Sequence, residues 1–165
     1  MSTDVQNLPT MGQGFYWQDL TVGQRLKTFR RTITESDLVG FINATGMLEA
    51  IFIDAEYSEK MGAIKGRVVP AALTFSLIEG LQFQSMIQGT GLAMLELAMK
   101  ALGPVFVGDS VWATVEVTGV RPTSKDNRAI ISSQIEVFNQ HGKAVLSYAA
   151  VRMLAGRPRA KGDCR

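Results

Sequence analysis

Four runs in the second half of the chain, Leu92 to Leu102, Ser110 to Val120, Arg128 to Phe138 and Lys143 to Leu154, are rich in β-branched and aromatic residues and bounded by turn formers. That pattern predicts four long strands. In the second run Val111, Ala113, Val115 and Val117 fall on one face and Trp112, Thr114 and Glu116 on the other. This is the two-residue period of a sheet with one face in a core. The links Arg121-Pro-Thr-Ser-Lys-Asp-Asn127 and Asn139-Gln-His-Gly142 consist of turn residues, so the strands are expected to pair antiparallel in sequence order.

The first half follows a helical spacing. Leu26 to Thr32 is predicted extended and leads into Thr34-Glu35-Ser36-Asp37, where a threonine cap and first-turn acids satisfy orphan amides and complement the helix dipole. A short helix is expected from Glu35 to Ala44, with Leu38, Val39, Phe41 and Ile42 as one stripe and Thr45-Gly46 as its stop. Met47 to Lys65 keeps no period, and one helical turn is expected about Ala55 to Met61. Gly66 to Val69 reads as extended, because a residue before proline leaves the α region, and Pro70 suits a helix start.

The helix that follows, Ala71 to Gln88, is apolar nearly all round, with Glu79 its single charge. Such a helix must be covered on nearly every side. Long antiparallel strands curling about one apolar helix describe an α+β hot dog fold. A single copy leaves a sheet edge open and apolar residues such as Trp112 and Phe138 on the face opposite Val115 and Val137, which favours a homodimer.

Composition narrows the setting. A chain of 165 residues with 46% hydrophobic and 19% charged residues has the makings of one globular core. The single cysteine, Cys164, excludes an internal disulfide framework and a cysteine-rich zinc site, and a cytoplasmic location is expected. No run has the length of a membrane span, and Met1 to Gln13 lacks the order of a signal peptide. The net charge of +2 is too balanced to argue for nucleic acid, and its excess gathers in Arg157, Arg159, Lys161 and Arg165 without interleaved aromatics. We therefore expect a flexible arm over 1–14, a domain over 15–155 and a flexible basic tail over 156–165.

Six motifs occur in order: Asp19-Leu20-x-Val22-Gly23-Gln24, Thr34-x-x-Asp37-Leu38 running into Thr45-Gly46, Asp54-x-Glu56-Tyr57, Gly66-Arg67-Val68-Val69-Pro70-x-x-Leu73-Thr74, Pro104-Val105-x-Val107-Gly108-Asp109, and Arg121-Pro122-x-Ser124. Together they resemble the MaoC-like hot dog proteins, which include (R)-specific enoyl-CoA hydratases and related acyl thioester dehydratases. The resemblance covers about Phe15 to Leu154. In catalytic members the segment after the first helix resembles Thr-Gly-Asp-x-Asn-Pro-x-His-x-Asp, whose Asp and His hold the water added to the enoyl double bond. Laid on this chain without a gap, Thr45, Gly46 and Asp54 match, while Met47 and Phe52 stand at the dyad positions. Neither side chain exchanges a proton in water. The resemblance also implies that the backbone amide of Ala71, with that of Ala72, serves as the oxyanion donor at the helix start.

The remaining carboxylates are the candidate catalysts. Glu49 shares the loop of the degenerate dyad, and Glu79 sits alone on the central helix, where distant hot dog thioesterases use an acid. His141, at a hairpin tip, is expected to be exposed. Lys65, Arg67, Lys125 and Arg128 are candidate CoA-binding residues, and no metal or cofactor is implied. The alternatives are a hydratase or dehydratase of fatty acid metabolism with its chemistry moved to Glu49 or Glu79, a thioesterase using Glu79, an acyl-CoA or acyl-carrier thioester binding module without turnover, and an inactive partner of a second, active MaoC-like chain.

Overall fold

The computed structural model describes residues 10–158 together with Leu8. The expected flexible arm and basic tail fall in large part outside these residues. At the N-terminal side Gly14 is buried, its amide bonding the Gln88 carbonyl at 2.8 Å, and a Cβ there would meet Gln88 N at 2.6 Å. Only glycine fits that backbone-to-backbone approach.

The capping sequence forms as written. The Asp37 amide donates to Thr34 Oγ1 at 3.2 Å, the Thr34 amide donates to Asp37 Oδ2 at 2.8 Å, and α1 spans Glu35–Thr45 before Gly46 at φ 71. Leu38 and Ile42 enter the core while Val39 stays exposed, a narrower stripe than predicted. The extended run before α1 splits into β1, Arg25–Lys27, and β2, Arg31–Thr32, which pair separately along one edge of a later strand. Beyond α1 come α2, Ala50–Ile53, and α3, Ala55–Lys60. The second was expected; α2 was not.

The central helix α4 spans Ala71–Phe83 and is followed by β3 Gly91–Ala101, β4 Ser110–Pro122, β5 Arg128–Phe138 and β6 Ala144–Ala155. The predicted helix ran five residues too far, to Gln88. Met86 and Ile87 are buried as their hydrophobicity demands, but the Met86 and Gln88 carbonyls bond Phe15 and Gly14, so tertiary pairing outweighs local helix preference there.

The strands form one open antiparallel sheet in the order β1-β4-β5-β6-β3, with β2 also on β4. Pairing in strict sequence order is therefore corrected: β4, β5 and β6 are successive neighbours, but β3 pairs with β6 at the far edge. The links that close hairpins carry left-handed residues, Asp126 (φ 60), Asn127 (φ 47) and Gly142 (φ 74). The link over 102–109 is longer than a tight hairpin, contains Pro104 and pairs with residues before α4, so β3 cannot fold straight back on β4.

The inward rows of β4, β5 and β6 pack with Leu73, Leu77 and Ile78 of α4 into one core. On the outer face Trp112 and Phe138 stack with ring centroids 4.9 Å apart and are half-buried. By contrast, all 11 residues of β3 are exposed, among them Leu92, Met94, Leu95, Leu97 and Met99.

Candidate functional site

The start of α4 is fixed by two ladder bonds: the Val69 amide donates to the Val105 carbonyl and the Val107 amide to the Arg67 carbonyl, each at 2.9 Å. The Leu73 and Thr74 amides donate to the Pro70 carbonyl at 3.0 and 3.3 Å. Pro70 provides no side-chain cap, so the first amides of the helix face outward uncapped with the positive end of its dipole.

These amides lie at a pocket of about 430 Å³. Ile51 and Phe52 of α2, Val68 to Ala71, Leu102 to Val105, and Val145 and Leu146 of β6 make up most of its wall. Thr74 is the one polar side chain in that wall. It is 1% exposed, and its Oγ1 has no partner among the described residues.

Of the sequence candidates, Ala71 and Phe52 line this pocket directly, and Ala72 is the next residue of the helix. Met47 is exposed in the turn before α2. Glu49 caps α2, accepting from the Ile51 amide at 2.9 Å, and is otherwise exposed. His141 is exposed, as expected. Arg67 is held inside the chain: its Nε donates to both Glu35 carboxylate oxygens (3.0 and 3.1 Å), its Nη2 to Glu35 and its Nη1 to the Phe52 carbonyl. It thereby ties α1 to the end of α2 and fixes Phe52 against the pocket. Its hydrogen bonding holds the Glu35 carboxyl below the usual carboxylate range.

Lys65 Nζ donates to the Glu59 carbonyl at 2.6 Å, close to the pocket residue Ile64. Lys125 and Arg128 lie at the opposite end of the sheet, where Arg128 is in register with Ala155 and pairs with Asp126 at 3.4 Å. From Leu146 at the pocket to Ala155 the strand rises roughly 30 Å, so the four basic candidates do not converge within one chain.

Glu79 lies two turns beyond Ala71, about 12 Å along the helix, and does not line the pocket. Its Oε1 accepts from Arg152 Nη2 at 2.6 Å, Tyr148 OH at 2.7 Å and Gln82 Nε2 at 2.8 Å, all buried. Burial and the neighbouring carboxylate raise the Tyr148 phenol far above its usual range, leaving it a neutral donor. Phase by phase along β6, Leu146, Tyr148, Ala150, Arg152 and Leu154 are buried. A charged residue in that inward row was the legible sign of a partner for Glu79, and sequence reasoning passed over it. Thr74 stands in the motif that ends Leu73-Thr74 but was given no role there. Among the described residues no cluster of His, Cys, Asp and Glu is arranged to hold a metal.

An antiparallel sheet packed on one apolar helix, here with an apolar-lined pocket at the helix start, is the architecture of a hot dog domain. A Mycobacterium tuberculosis protein with a double hot dog fold superposes with a TM-score of 0.80 at 18% identity, covering 89% of this chain and 46% of that one. A MaoC-like dehydratase from Rhodospirillum rubrum superposes with a TM-score of 0.75 at 22% identity, covering 88% and 100%. The chain belongs to the family of FAS1-like dehydratase domain regions, whose model matches residues 20–148. It is 28% identical over 134 residues to the (R)-specific enoyl-CoA hydratase of Aeromonas caviae, 81% of this chain and 95% of that protein.

Proposed function

We propose that the chain holds an acyl thioester in the pocket at the start of α4, with the thioester carbonyl on the Ala71 amide and the acyl group against the apolar wall. The carrying observation is the uncapped helix terminus in the wall of an apolar-lined pocket of about 430 Å³. Such a terminus favours a carbonyl oxygen that gains negative charge, and an apolar wall favours the acyl chain. The kinship to (R)-specific enoyl-CoA hydratases supports the same ligand class. A cytoplasmic place in fatty acid metabolism is consistent with that class.

The chain is a poor hydratase in this account, since Met47 and Phe52 at the dyad positions remove the general acid and base, an effect of about 10² to 10⁴-fold. The cap bond on Glu49 and the triple bonding of Glu79 both occupy those carboxylates with structural work. Binding without efficient turnover is therefore favoured over a hydratase re-sited on Glu49 or a thioesterase on Glu79. Of the four basic candidates, Lys65 and Arg67 lie on the pocket's side of the molecule, Arg67 engaged by Glu35 and the Phe52 carbonyl, whereas Lys125 and Arg128 lie at the opposite end of the sheet. Native mass measured against acyl-CoAs of graded chain length tests the reading, the expected result being one saturable ligand per chain. A crotonyl-CoA hydration rate equal to that of an ordinary hydratase contradicts the binding account.

A further inference from the structure

The two edges of the sheet differ. One is made of the short strands β1 and β2, which carry Arg25, Lys27 and Arg31, a composition that resists further pairing. The other is β3, long, exposed throughout and paired on one side only among the described residues. From Glu96 to Ala101 it keeps unbroken register with β6. Leu97 and Met99 stand opposite the buried Ala150 and Tyr148 and so belong to the core face. Glu96, Ala98 and Lys100 stand opposite Val151, Ala149 and Ser147 on the outer face. Glu96 and Lys100 form no ion pair among the described residues.

Two copies that continue the sheet through β3, with both cores on one side, are related by a two-fold axis perpendicular to it. Residues directly opposite then share a face, so the axis must pass through a residue. Centring on Glu96 or Lys100 sets like charges against each other, which is unfavourable. Centring on Leu97 or Met99 gives neither charge a charged partner. Centring on Ala98 sets Glu96 opposite the partner's Lys100 on both sides of the axis, Leu97 opposite the partner's Met99, and two small side chains on the axis itself. We propose that β3 is a self-complementary docking strand for a second copy of this chain, centred on Ala98, in which two Glu96–Lys100 pairs fix the register. Exposed pairs add little affinity; backbone pairing and the apolar row supply it, and the charges choose among registers. The proposal goes beyond the ligand reading and does not depend on it.

The test is native mass spectrometry over a dilution series of the wild type, Glu96→Lys, Lys100→Glu, an equimolar mixture of the two, and the double reversal. Each single reversal sets like charges opposite at both pairs and should weaken self-association about tenfold. The mixture should form mainly heterodimer, where both pairs are again of opposite sign, and the double reversal should dimerise like the wild type. Misfolding cannot produce either rescue. The axis is read separately, in a Cys164→Ser background. Ala98→Cys should oxidise to a covalent dimer, its Cα atoms lying about 5 Å from their symmetry copies. Leu97→Cys and Met99→Cys should not, because each meets its own copy diagonally, beyond the reach of a disulfide. A monomeric wild type, single reversals that dimerise as tightly as the wild type, a mixture without preference for heterodimer, or disulfides in Leu97→Cys or Met99→Cys instead of Ala98→Cys overturns the proposal.

Discussion

Glu79 is the residue whose sequence context was most suggestive and whose structure is most constraining. A lone acid on an apolar helix must find partners, and here one carboxylate oxygen meets a guanidinium, a phenol and an amide. Removing one partner of a buried ion pair leaves an uncompensated charge, at a cost of about 3–5 kcal/mol. Glu79→Gln is expected to lose that much in urea unfolding, and Glu79→Gln with Arg152→Met to recover a large part of it. Asp37 makes a second residue-scale prediction. Backbone and side-chain hydrogen bonds from Thr34, with Arg31 nearby, lower its pKa below the ordinary 3.8. A carboxyl depressed on folding stabilises above its unfolded value and loses that stabilisation as pH falls through the folded value. Stability should thus decline below about pH 4, and Asp37→Asn should flatten that acid limb in denaturation curves taken across pH 2 to 6.

At the scale of elements, much of the fold was legible because local signals agreed with tertiary need. The Thr34 cap, the Pro70 helix start and the alternating strand β4 formed at the expected places. What escaped was set by contacts distant in sequence. The end of α4 yields to the pairing of Gly14 and Phe15 with Gln88 and Met86, and nothing near Gln88 announces a partner some seventy positions away. The position of β3 beside β6 depends likewise on a link that pairs with the approach to α4. At the pocket, Ala71 was named from the family resemblance, whereas Thr74 stood in a motif without a role and Arg152 was legible in the alternation of β6 but was passed over. Arg67 read as a CoA-binding candidate, and the fold engages it on Glu35 and the Phe52 carbonyl. Gly14→Ala tests the element-level account: a Cβ would lie 2.6 Å from Gln88 N and 2.7 Å from Met86 O, so the segment must move. A loss of about 1–3 kcal/mol is expected in thermal or chemical unfolding, and a neutral effect would contradict the tight approach.

Across the whole molecule, the feature left open is β3. An edge strand of 11 exposed residues carrying Leu95, Leu97 and Met99 is an aggregation hazard unless a partner covers it. A homodimer joined along β3 is the expected resolution, and light scattering coupled to size exclusion should report twice the 18.0 kDa chain mass. Leu97→Lys, which sets a charge on that edge, should shift the population toward monomer. Mixed dimers with a second, catalytically complete hot dog chain would appear as heterodimers in the same measurement and would assign this chain a supporting role. The central claim is narrower: the first amide of α4 holds a thioester carbonyl. Ala71→Pro removes that N–H alone, because proline is well tolerated at the first helical position. Calorimetric titration of butyryl-CoA should give saturable binding to the wild type and a loss of about tenfold in Ala71→Pro, the worth of one hydrogen bond, with the helical signal unchanged. Undiminished affinity in a folded Ala71→Pro protein would contradict the account.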